Sequence, residues 1–383
     1  MEYNFDAVLD RRGGDSSKWH RYPEDVLPMY VADMDFQAPS PVIEALHKRV
    51  SEGFFGYGRV MPEVLDLLAD RLVARYGWTV PGEAIVPVPG VIAAFNLAVR
   101  AVTTPGAGLA IQAPAYPPIY NCAGHHGLLR WESSLVRTGS GYEVDWEAFE
   151  TAAARSSVFL HCNPHNPTGR VFTRGELERM AESCLRHDLV IVSDEIHCDI
   201  VFDGRVHVPI AAIDPEVERR TVTLMAPSKT FGLPGLKAAF AVIPDPALRA
   251  RFEEARSGLV PSVNVLGQAA MIAAYRDGQP WLDALLPYLQ ANRDFLSAFA
   301  AERLPGVRVV PAEGTYLAWL DCREAGLEDD DAQAFFLERS RVAVSAGLDF
   351  GPLGRGFTRL CFATPRPLLR EGLERMAQAL ADR

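Results

Sequence analysis

Lysine is nearly missing from this sequence. Only Lys18, Lys48, Lys229 and Lys237 occur in 383 residues, so arginine supplies 34 of the 38 basic side chains. Lys18 and Lys48 fall in polar or helical stretches and read as ordinary surface residues. Basic charge of either kind is outnumbered, and the net charge is −11. That argues against nucleic acid as a partner, because phosphate binding needs a basic face. The six cysteines, Cys122, Cys162, Cys184, Cys198, Cys322 and Cys361, form no C-x-x-C pair and no zinc-finger spacing. They read as buried thiols of a reducing compartment. His197 and Cys198 with His161 and Cys162 suggest a metal only weakly, since no further ligands stand in register; no metal is expected. No apolar run approaches the ~20 residues of a membrane span. The opening Met-Glu-Tyr-Asn-Phe-Asp lacks a basic stretch followed by an apolar run, so no signal peptide and no membrane are expected, and the chain is expected in the cytoplasm.

What is present is ordinary globular composition, 48% hydrophobic and 23% charged. At roughly 150 residues per domain the length predicts two domains, or three. Pro39 and Pro41 open a helix to about Glu52, and a second helix follows Pro62 as far as Tyr76. Short apolar runs then suit buried strands: Ile85–Val88, Leu109–Gln112, Val158–Cys162, Leu189–Ser193, Thr221–Met225 and Ala238–Ile243. Helical patterns lie between several of them, at Val91–Val102, Thr173–His187 and Pro246–Ser257. This alternation predicts an α/β fold with a mostly parallel sheet and helices on both faces. A long helix from Trp281 to Leu304 leads into a smaller α+β region that ends in the amphipathic helix Pro367–Ala381. The expected division is 1–51, contributing to a small domain; 52–285, a large domain; and 286–383, the rest of the small domain.

The candidate chemistry sits where strands end, which is where open α/β sheets bind ligands. Lys229 follows the strand Thr221–Met225 in Ala-Pro-Ser-Lys-Thr-Phe-Gly. A desolvated amine there, near other cations, becomes a nucleophile for aldehydes; the plain alternative is a lysine in a turn. Asn163-Pro164-His165-Asn166-Pro167-Thr168-Gly169 makes a rigid turn that would hold an Asn amide still, or is a turn and nothing more. Asp194 ends a very apolar strand and needs a partner. That partner is a cationic ring nitrogen, an ordinary ion pair, or a helix start. Pro89-Gly90-Val91-Ile92 opens a helix whose free N–H groups suit a phosphate. Tyr116 ends another strand as a stacking ring or a core tyrosine. Arg359, inside the apolar Phe357-Thr358-Arg359-Leu360, needs an anion: a substrate carboxylate or an internal acid.

In this order the pieces resemble the fold-type I enzymes of pyridoxal 5'-phosphate (PLP), with the aspartate aminotransferase-like fold, across nearly the whole chain. More narrowly, Tyr30-Val31-Ala32-Asp33-Met34-Asp35-Phe36, Gly56-Tyr57, Ser193-Asp194-Glu195-Ile196-His197 and Ser228-Lys229-Thr230-Phe231 resemble the MalY/PatB branch. So does the opening Asp10-Arg11-Arg12-Gly13 with Ser17-Lys18-Trp19. That branch contains cystathionine β-lyases and related C–S lyases of the class I/II aminotransferase family. The resemblance implies that Lys229 holds PLP and moves protons at Cα, and that Asp194 keeps the pyridine nitrogen protonated. Asn166 and His197 would lie near the ring's phenolic oxygen and Tyr116 on the ring face. Val91, Ile92, Ser228 and Lys237 would hold the phosphate. Tyr57 would reach the neighbouring subunit's site, which implies a homodimer. Arg359, with the Ala32 backbone, would bind the carboxylate of an amino-acid substrate, beside Asn166 and Tyr57.

The expected reaction is β-elimination of cystathionine or another S-substituted L-cysteine to a thiol, pyruvate and ammonia. Tyr116 or a water would protonate the leaving thiolate. Ala226, Lys237, Gly232 and Cys361 depart from the residues usual at their positions, where serine, arginine, asparagine and asparagine are common. An aminotransferase and a regulatory protein on the same fold are the competing readings.

Overall fold

The computed structural model describes residues 3–139, 141–327 and 332–383; the first two residues of the opening segment read above lie outside these. The main sheet has eight strands: β1 Ile85–Val88, β2 Gly108–Ala113, β3 Leu129–Arg137, β4 Tyr142–Val144, β5 Val158–Cys162, β6 Val190–Asp194, β7 Thr221–Met225 and β8 Ala239–Val242. Their spatial order is β1-β8-β7-β6-β5-β2-β3-β4. The run from β7 to β3 is parallel throughout. β8 runs against both β7 and β1, and β4 runs against β3.

Side chains alternate across the sheet, as the period-2 geometry of a strand requires. Leu109, Ile111, Val158 and Leu160 pack on one face with Val91, Phe95, Leu248 and Phe252 from the helices Val91–Val102 and Pro246–Arg256. Ala110, Phe159 and Ile191 pack on the other with Phe149, Leu177 and Met180 from Trp146–Ala153 and Arg174–Arg186. Both faces are covered, so the inner strands are buried end to end. Thr173 starts the helix Arg174–Arg186 with a full capping box, exchanging hydrogen bonds with Glu176. Such a cap stabilises by about 1 kcal/mol.

A second sheet joins Arg308–Val309, Leu317–Asp321, Phe357–Cys361 and Ser345–Ala346, all antiparallel. The N-terminal stretch is stitched to the C-terminal segment. Leu27–Pro28 pairs with Val342–Ala343, Met29 accepts the Cys361 N–H, and Ala363 accepts the Asp35 N–H. The helix Gln279–Arg303 is tied in by buried Asn292, whose amide donates to the carbonyls of Phe362 and Thr364.

Lys18 corrects the surface expectation. It is 2% exposed, and its ammonium donates to Asp35 at 2.6 Å and to the Asp33 carbonyl at 2.9 Å. Arg11 and the Trp19 indole also bond Asp35. A buried ammonium is tolerated only when paired in this way. The cluster fixes residues 32–35, and so fixes Ala32 beside Lys229.

Candidate active site

Strand direction assembles the site. β1, β2, β5, β6 and β7 all end at one edge of the sheet, and the reversed β8 begins there. Their terminal residues therefore converge on a single cavity of about 380 Å³, within the range of small-molecule sites. Ala32, Val91, Ile92, Tyr116, Asn166, Asp194, His197, Ser228, Lys229 and Lys237 all line it.

At one end stands the start of the helix Val91–Val102, with Gly90 in extended conformation before it. The free N–H groups of its first turn and the helix dipole favour an anion. Ser228 and exposed Lys237 face the same cavity. Lys237 lies just ahead of reversed β8, which explains how a residue eight positions after Lys229 returns to the same site.

Asp194, the last residue of β6, is 4% exposed. Its Oδ1 accepts one N–H, from Ile196 at 3.1 Å, which is the turn-start role in part. Among the described residues no cationic side chain lies within ion-pairing distance of it. Burial, with neighbouring Glu195 adding to it, pushes its carboxyl up to about 7, against the Ile196 N–H and the Lys229 charge. At that value the carboxyl is divided near neutral pH between a protonated form and a carboxylate that has no cationic partner among the described residues.

Lys229 sits in the one-turn helix Pro227–Thr230 directly after β7. Its Nζ donates to the Ala32 carbonyl at 2.6 Å. Burial and the nearby Arg359 charge bring its amine down to about 8, the direction that makes a lysine nucleophilic. His197 is buried; desolvation holds its imidazole neutral, well below the usual range, and among the described residues its Nδ1 has no hydrogen-bond partner. Burial raises the Tyr116 phenol, so it is a proton donor at neutral pH.

Arg359 lies just behind the cavity on the strand Phe357–Cys361 and is 5% exposed. Nη1 donates to Asn166 Oδ1 at 3.0 Å, and Nη2 donates to the Tyr30 carbonyl and Ser345 Oγ. The ring of Phe350 lies 4.9 Å from the guanidinium. Among the described residues no carboxylate pairs with it, so the internal-acid alternative is not the one realised. Tyr57 stands apart, fully exposed and outside this cavity. His161 bonds Gln112 on the opposite face of the sheet, and among the described residues no group of three potential ligands could hold a metal ion.

Two contributors escaped the sequence reading. Tyr316, 1% exposed, donates to the same Ala32 carbonyl at 3.3 Å. Phe350 backs Arg359 and accepts the Ala115 N–H. The one sequence signal was Gly314-Thr315 ahead of Tyr316, where Thr315 takes a φ of 67°.

The model of the family described as aminotransferase class I and II matches residues 24–376. PatB, the cystathionine beta-lyase of Bacillus subtilis, is 38% identical over 99% of this chain and 100% of its own. Of the solved structures, OvoB superposes with a TM-score of 0.95 at 41% identity, over 100% of both chains. The PLP-bound C–S lyase of Staphylococcus hominis superposes at 0.94 with 30% identity, over 99% of each. A match of this length and identity, on an edge built from these residues, makes the chain a member of the class I and II aminotransferase family.

Proposed function

We propose that the protein is a PLP-dependent C–S lyase that splits cystathionine or a related S-substituted L-cysteine into a thiol, pyruvate and ammonia. The observation that carries the cofactor is buried Asp194, which has no ion-pair partner among the described residues and shares its cavity with a low-pKa lysine and an anion-binding helix start. A cationic pyridine ring bearing an aldehyde and a phosphate satisfies all three. Asp194 would face the ring nitrogen, Asn166 and His197 the phenolic oxygen, and Tyr116 the ring face. Val91, Ile92, Ser228 and Lys237 would take the phosphate. The full-length likeness to PatB supports elimination as the outcome.

When bound, PLP supplies an aldehyde for the substrate amine and a cationic ring that draws electrons from Cα. Arg359 and the Ala32 backbone hold the α-carboxylate, which orients the Cα–H bond toward Lys229. Lys229 Nζ takes that proton. The Cβ–S bond breaks, its electron pair leaves with sulfur, and the Tyr116 hydroxyl or a water protonates the thiolate. Water then releases ammonia and pyruvate.

We further propose a homodimer in which Tyr57 enters the partner's site, supported by the exposure of Tyr57 together with Phe54 and Phe55. Six free, buried cysteines support a cytoplasmic location. If the thiol is homocysteine, the reaction serves methionine biosynthesis. The division at 51 and 285 is retained as the domain proposal.

The direct test is to record the visible spectrum of the purified protein, add L-cystathionine, and follow pyruvate and free thiol. Joint release of both products from a coloured protein is expected. A coloured protein that forms a keto acid only by amino transfer would replace elimination with transamination.

Arg359→Ala should raise KM about 10²-fold with a smaller change in kcat, since removing one partner of a buried charge pair loses about 2–5 kcal/mol of binding. Steady-state kinetics check this. Unchanged kinetics would move the carboxylate site elsewhere.

A further inference from the structure

We infer that Asp199 is a positioning residue for Lys229, acting through Thr230; the inference rests on Lys229 as the cofactor lysine. Asp199 is 1% exposed and follows Asp194 and His197 on the segment leaving β6. Its Oδ2 accepts the Thr230 hydroxyl at 2.9 Å. Its Oδ1 accepts from Arg71 at 2.6 Å and Arg75 at 3.4 Å, both on the helix Pro62–Tyr76. The Arg71 guanidinium is itself held 4.5 Å from the Tyr275 ring.

Thr230 directly follows Lys229 and closes its one-turn helix. A helix of one turn has almost no stability of its own, so outside contacts set its orientation. Lys229 and the pair Asp194 and His197 address one cavity from two separate segments. Asp199 joins those segments side chain to side chain and braces the joint against a third. Nothing in the chemistry proposed above uses this carboxylate. A buried ion pair adds little net stability over an apolar substitute, which leaves geometry as the reason for burying one here.

Thr230→Val removes the hydroxyl and keeps the shape, whereas Thr230→Ser keeps the hydroxyl. In the holoenzyme, Thr230→Val should lower kcat about tenfold and leave KM within about twofold, because small misplacements of a reacting group lose rate more than binding. The affinity of the cofactor-free protein for PLP should fall about tenfold as well, and Thr230→Ser should restore both. Asp199→Asn, which keeps an acceptor for Thr230 but loses the charge facing Arg71, should fall between them. Wild-type kcat and PLP affinity in Thr230→Val would overturn the inference, and so would equal losses in the valine and serine variants. Should Asp199→Asn fail to fold, the Thr230 pair still decides. A wild-type protein that takes up no PLP would overturn the functional reading itself, before any variant is compared.

Discussion

Lys229→Ala is expected to lose at least about 10⁴-fold in kcat, because on the proposed function this one side chain would both capture the cofactor and carry the Cα proton. Burial and the Arg359 charge bring its amine to about 8, so roughly half is neutral near pH 8 and ready to act. An ordinary lysine, near 10.4, would be almost wholly protonated there. None of the other three lysines is placed as Lys229 is: Lys18 is bound to Asp35, Lys48 lies on the helix Ser40–Ser51, and Lys237 stands beside the helix start that would hold phosphate. The measurement is pyruvate release, with the visible band of the bound cofactor recorded alongside. The variant should lose turnover and the wild-type band together, and a small primary amine in the buffer should return part of the turnover. A coloured, fully active Lys229→Ala protein would end the assignment.

Strand ends were the legible part of this sequence. Val158–Cys162 and Thr221–Met225 are observed with the bounds their apolar runs predict. The residues just beyond them are the ones that meet in the cavity. Local patterns carry this information because a buried parallel strand must be apolar throughout and its exit must turn. What stayed hidden depended on distant partners. Lys18 looked superficial because its neighbours are polar; its burial is decided by Asp35, 17 residues later, and by the attachment of that segment to Ala363. The strands Leu129–Arg137 and Tyr142–Val144 were missed because they close the sheet edge, where one face is open and charge is tolerated. Tyr316 and Phe350 act across sheets, which no local pattern records. One departure lost its weight once the backbone was known. Gly232 stands where asparagine is usual, and its φ of 69° is a conformation that glycine and asparagine both adopt. It therefore says little about the substrate.

Asp194→Asn should lower kcat by about 10²–10³-fold, the scale of losing one preorganised charge at a reacting centre. It should also change the pH dependence of stability in the cofactor-free protein. Burial raises this carboxyl from the ordinary 3.8 to about 7. The folded state then holds the proton more tightly than the unfolded state. The resulting stability is fully present below about pH 4 and is lost as pH climbs through about 7. A rise of roughly three pKa units corresponds to on the order of 4 kcal/mol. Buried histidines act in the opposite sense: His161 and His165 are both held down to about 3 by desolvation, so acid destabilises the fold. They are common to both proteins, and subtracting the two stability curves removes them. The asparagine variant should therefore gain on the wild type as pH rises from about 4 to about 7 and hold that gain above it, as measured by urea unfolding without cofactor. Saturating PLP should reverse the order, since on the proposed function a ring cation would then pair with the wild-type carboxylate and the amide would have no charge to offer. Parallel curves without cofactor would mean that Asp194 is already neutralised by the chain. Parallel curves with PLP would mean that the cation it faces is not the ring.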